Sequence, residues 1–195
     1  MGLMRTLYRE IRDILGMAPP PENDTQRAER VCGELKSELG GKRSQDGDDY
    51  ILTTQIDGRP VRILFEASPG RAALEVGASA SQDVAWEVVA DAQQGPTAVP
   101  RGFERVYVTS GIYVEGPSND HVLQQQSLWQ RLPTGARGVA TQLLQKTFGK
   151  LEYSDGSVTL TPEVETIAGK SARYTVKSQL QSLLKVAEGI DQAWG

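Results

Sequence analysis

Cys32 and His121 are the residues whose types first suggest chemistry, as the chain holds one cysteine and one histidine. A thiolate beside an imidazole base makes a nucleophilic pair, but a reactive cysteine needs an electropositive, accessible setting. Cys32 falls beside Val31 and Leu35 on the apolar stripe of a predicted helix. There a free cysteine behaves as a small hydrophobe. His121 follows Gly116-Pro117-Ser118-Asn119-Asp120, the setting of a surface residue or a helix start. A single cysteine excludes an intramolecular disulfide, and one Cys with one His leaves the usual zinc sets unavailable. No cofactor and no metal site is expected.

Two further motifs are tested against their chemistry. Gly40-Gly41-Lys42-Arg43-Ser44 looks like a phosphate-binding loop, but that loop has another glycine five residues before the one preceding Lys, and here Lys36 stands there. Glycines closing a helix explain the run better. Asp46, Asp48 and Asp49 flank Gly47, but a calcium loop counted from Asp46 has Ile51 and Asp57 where it needs Gly and Glu. A solvated acidic turn is expected instead. The 25 acidic residues include no pair in a recognised catalytic motif, so the chain reads as a non-enzyme, with an enzyme of unrecognised site as an alternative.

The elements that must position these residues follow from periodicity. The chain has 195 residues, a net charge of −4 and a pI near 5.2, which suits one domain with an appendage and disfavours a nucleic-acid partner. No stretch approaches the roughly 20 apolar residues that span a bilayer, and the N-terminus lacks a secretory signal pattern. Cytoplasm is the expected compartment.

Leu3, Met4, Leu7, Tyr8, Ile11, Ile14 and Leu15 share one stripe of an amphipathic helix over residues 1–17. Residues 18–23, with Pro19-Pro20-Pro21, form a stiff linker, and residues 24–195 form the domain. A helix opens near Asn23-Asp24-Thr25 and carries Ala28, Val31, Cys32, Leu35 and Leu39 to Gly40. After the polar stretch 42–49 the period becomes two. Strands are predicted at 51–56, 61–65, 72–76 and 84–88 as an antiparallel meander, with Asp57-Gly58 and Ser68-Pro69-Gly70 as turns. A loop covers 93–102, a strand 103–109, and 112–114 extends it or forms another. Residues 121–132 fit no period clearly. A helix from Pro133-Thr134 to Phe148-Gly149, a hairpin around Asp155-Gly156 and a long closing helix complete the chain.

The order α-β(four to six)-α-β-β-α defines an α+β class: a two-layer domain with a largely antiparallel sheet flanked by helices, preceded by the separate amphipathic helix. Over roughly residues 24–193 this order resembles the type III secretion chaperones and related small bacterial α/β modules. The resemblance implies an acidic, non-enzymatic protein that dimerises and binds other polypeptides. The chain departs from that pattern by at least one extra strand and by the region 93–132.

Three surfaces are candidate contacts. Residues 45–95 hold nine acidic side chains against three arginines, a net of −6, so the sheet could receive a basic partner. Trp129, after Gln124-Gln125-Gln126, is either an interface anchor or local core. The stripe Leu3, Met4, Leu7, Tyr8, Ile11, Ile14 and Leu15 must be covered by its own domain, by another protein or a second copy, or by a membrane interface. The leading expectation is a protein-binding, adaptor or chaperone-like module that docks through this helix. A peripheral protein recruited to the inner membrane surface is the other reading.

Overall fold

The computed structural model describes residues 22–80, 84–91 and 99–195. The predicted N-terminal helix, the Pro19–Pro21 run and residues 93–98 of the predicted loop lie outside the described residues.

Helix α1 (Asp24–Leu39) starts with a capping box: Asn23 Oδ1 accepts from the Gln26 N–H at 2.8 Å, and the Asn23 N–H donates to Gln26 Oε1 at 3.1 Å. The strands are β1 (Lys42–Asp46), β2 (Asp49–Ile56), β3 (Arg59–Glu66), β4 (Arg71–Gly77), β5 (Trp86–Ala90), β6 (Glu104–Thr109) and β7 (Ile112–Gly116). Helices α2 (Asn119–Arg131) and α3 (Thr134–Thr147), the hairpin β8 (Lys150–Ser154) and β9 (Ser157–Thr161), and helix α4 (Ala172–Trp194) follow. The fold is α+β, with one antiparallel sheet ordered β1-β2-β3-β4-β9-β8-β5-β7-β6.

The predicted turns form for the expected reason. Asp57 and Gly58 have φ of 52° and 78°, and Asp155 and Gly156 have 51° and 75°, the two successive positive angles of a tight hairpin.

Three expectations are corrected. The stretch 42–49 is polar yet contains β1, because an edge strand with both faces exposed needs no alternation, and its Lys42, Arg43 and Asp46 guard that edge. Residues 121–131 belong to α2, which Leu132 caps, and Val122 and Trp129, seven residues apart, are its buried positions. The predicted fourth strand is not the neighbour of the third. The β8–β9 hairpin lies between them, pairing Val76 with Val158 on one side and Val88 with Leu151 on the other. Alternation shows which face of a strand is buried and says nothing of which strand lies beside it.

The four described helices cover one face of the sheet. Tyr50, Leu52, Val61, Ile63, Phe65, Leu74, Val76, Trp86, Val88, Ile112, Val114, Leu151, Tyr153, Val158 and Leu160 point into one core with the inner stripes of the helices. Helix α1 lies over β1–β3, α4 over β4 and β9, α3 beside α4 over β5, and α2 over β5–β7. Helices α3 and α4 approach closely at Gly189, where an added Cβ would collide with the Cβ of Ala136.

Candidate binding clefts

The outer sheet face carries the charges that the sequence marks as acidic. Arg62 lies 3.7 Å from Glu75, Arg71 pairs with Glu66, and Lys150 reaches both Glu87 and Glu152 at 3.0 Å. Arg105 binds Glu115 at 2.6 Å and stacks over Tyr113 at 3.9 Å. Three of the nine acidic residues in 45–95 thus already have cations as neighbours. This weakens a steering field that exposed pairs would otherwise support.

Cys32 is fully buried, and desolvation pushes its thiol up against the opposing pull of Arg43 and Lys36. Its side chain packs in the core beside Val31 and Leu35. His121 stands in the first turn of α2, where its N–H donates to Ser118 Oγ at 3.2 Å. Its ring packs so closely on Gly116 that a Cβ there would overlap the imidazole. Trp129 is 3% exposed and meets Trp86 edge-on at 5.9 Å, so of its two readings it occupies the core one. Leu3, Met4, Leu7, Tyr8, Ile11, Ile14 and Leu15 lie outside the described residues. Among the described residues, no group of three His, Cys, Asp or Glu side chains is placed to hold a metal ion.

Among the concavities of the described residues are two beside helix glutamines. The smaller, about 310 Å³, opens where β5 and β7 part company. They pair only at Val89–Tyr113 and Ala90–Ile112. Beyond that point Gln125 of α2 takes over: its Oε1 accepts from the Glu87 N–H at 2.9 Å and its Nε2 donates to the Ala85 carbonyl at 3.3 Å. A side-chain carboxamide thereby pairs with an extended backbone as a neighbouring strand would.

The larger cleft, about 520 Å³, lies between the C-terminal half of α3 and the N-terminal half of α4. Its third wall, residues 164–166, is fixed. The Thr166 and Ile167 N–H groups donate to the Gly70 carbonyl at 3.0 and 3.1 Å, Thr166 Oγ1 accepts from the Ala72 N–H at 2.7 Å, and Glu165 binds Arg27 at 2.7 Å. Leu143 and Val164 supply an apolar floor, and Tyr174, 62% exposed, stands at the rim. Gln142 lines the cleft from α3 and Ser178 and Gln179 from α4. A pocket of this size with an apolar base and few polar groups is the usual form of a ligand site.

Gln179 is 9% exposed, and its Oε1 is buried with no hydrogen-bond partner. An orphaned buried polar group costs about 1–3 kcal/mol, so its position calls for a cause. The sequence held a signal for it: Gln179 sits between Val176 and Leu183 on the inward stripe of α4, where an apolar residue is expected. Tyr174 and Gln142 gave no such signal.

No family model and no curated protein matches the chain. Among solved structures, the crystal structure of the mycobacterial trehalose monomycolate transport factor A, TtfA, aligns with a TM-score of 0.49 at 9% identity, covering 89% of this chain and 95% of that one. A likeness of that degree carries no argument about function. No helix among the described residues is long and apolar enough to cross a membrane.

Proposed function

We propose that the protein is a non-enzymatic binding or adaptor module whose residues 3–15 are its docking element. What supports the reading is the way the domain opens. Asn23 and Gln26 close the N-terminus of α1, and Glu22 folds back onto Arg30 at 3.0 Å. A stripe of seven apolar side chains therefore lies beyond a capped helix start and calls for a surface of its own. The partner on this reading is another polypeptide.

The test is affinity capture from native lysate with the full chain and with Leu7→Glu/Ile11→Glu. The variant loses the partners held by the wild type; an unchanged set of partners removes the docking role. Arg5, Arg9 and Arg12 against Glu10 and Asp13 give residues 1–17 a modest basic bias, which favours a second reading, recruitment to an anionic membrane. Flotation of the full chain with phosphatidylserine vesicles separates the two, since a protein-docking helix leaves the chain at the bottom of the gradient.

A further inference from the structure

We infer that the α3–α4 cleft binds a small organic monoanion, a carboxylate on an apolar body. Its carboxylate pairs with Lys146, and its body lies on the floor made by Leu143 and Val164. This site goes beyond the docking role of residues 3–15 and depends on none of them.

The cleft is built to stay open. Helices α3 and α4 touch at one end, where Gly189 leaves no room for a Cβ beside Ala136. Toward Lys146 and Tyr174 they part and leave the cavity of about 520 Å³. The segment behind it is tied on both sides. The Glu163 and Val164 N–H groups donate to the Thr147 carbonyl at 3.0 and 3.3 Å, and those of Thr166 and Ile167 donate to the Gly70 carbonyl. A backbone held at both ends cannot collapse into the gap, so Val164 stays in place as floor. A concavity formed in advance spares its ligand the cost of ordering one.

The charge of the cleft runs against that of the chain. The protein carries a net −4, yet the carboxylate in the lining, Glu165, is already neutralised by Arg27 at 2.7 Å. Lys146, exposed in the last turn of α3, makes no ion pair among the described residues. At the rim the Arg173 guanidinium lies 4.4 Å from the centroid of the Tyr174 ring, and it too has no carboxylate partner among the described residues. An unmatched ammonium above an apolar floor is the complement of a carboxylate on an apolar body. An inorganic anion would leave the floor uncovered, and a neutral ligand would leave Lys146 unmatched. One lysine in the lining sets the ligand's charge at one.

The test screens the full chain by saturation-transfer NMR against naphthoate, phenylbutyrate and decanoate, each beside its uncharged amide, and measures affinities by calorimetry. At least one acid should bind and should shift the methyl resonances of Leu143 and Val164. Its amide should bind roughly tenfold more weakly or worse, and so should the acid to Lys146→Gln, the worth of one charge-assisted bond. Lys146→Arg keeps the charge and should restore binding, while Lys185→Gln, exposed on α4 outside the lining, should leave it unchanged. Lys146 is exposed, so the thermal midpoints of its variants should stay close to that of the wild type, which keeps folding out of the comparison. Binding by none of the acids, equal binding of acid and amide, undiminished binding by Lys146→Gln, or methyl shifts confined to other parts of the molecule would each overturn the proposal. Capture of partners through residues 3–15 can succeed or fail independently of all these outcomes.

Discussion

Gln125 and Glu87 are joined by a 2.9 Å hydrogen bond from the Glu87 N–H to the Gln125 side-chain carbonyl. It lies where β5 leaves β7, so a helix residue completes a ladder that the sheet has abandoned. Removing it with Gln125→Leu should cost about 1 kcal/mol, the typical net worth of such a bond. Native-state hydrogen exchange at the Glu87 amide should quicken roughly fivefold, by the same arithmetic. An unchanged rate would mean that another group protects this amide.

Trp129 packs into Trp86, which also meets Tyr153 at 6.3 Å. Truncating a buried Trp leaves a cavity, and Trp129→Ala should lose about 3–5 kcal/mol in urea denaturation. The loss should appear without any partner present. A variant of wild-type stability would return Trp129 to the surface role.

Gly189 faces Ala136 where α3 meets α4. Gly189→Ala gains about 0.8–1 kcal/mol of helix propensity, but overpacking a close contact costs about 1–3 kcal/mol. The clash should win, giving a lower thermal midpoint. A double-mutant cycle with Ala136→Gly should show coupling of about 1 kcal/mol, whereas additive effects would mean that the helices separate freely.

The thiol of Cys32 is raised by burial. The native protein should therefore resist Ellman's reagent at neutral pH and react on unfolding. Because the folded-state pKa is the higher one, this group's contribution to stability is complete below the ordinary thiol pKa of about 8.5. It falls as the pH rises from there through the folded value, since the unfolded chain ionises its thiol first. Cys32→Ala should flatten that part of the alkaline limb. Fast modification of the native thiol would revive a reactive role.

How much of this was legible depended on locality. The α1 cap at Asn23, the buried stripe through Cys32 and Leu35, and the hairpins at Asp57-Gly58 and Asp155-Gly156 are set by residues within a few positions of each other. Placing the β8–β9 hairpin beside β4 is a decision made by the whole core, which no local pattern records. Helix α2 escaped because its outward face is glutamine-rich and shows only two fully buried positions. The charge excess of residues 45–95 was visible, but one of the cross-strand ion pairs that offset it joins Glu87 to Lys150, sixty-three positions apart. Gln179 could have been found as a polar residue on an apolar stripe; its open cleft could not.

On the proposed reading the domain closes at Glu22 and leaves the stripe of residues 3–15 for a partner. Urea denaturation of the full chain against residues 22–195 tests this most directly. The prediction is an unchanged midpoint and an unchanged m-value, because m follows the surface exposed on unfolding. Each large apolar side chain buried in the fold is worth about 1.5–3 kcal/mol. A clear drop in both midpoint and m-value on truncation would show that the stripe belongs to the core, and would contradict its role as a docking element.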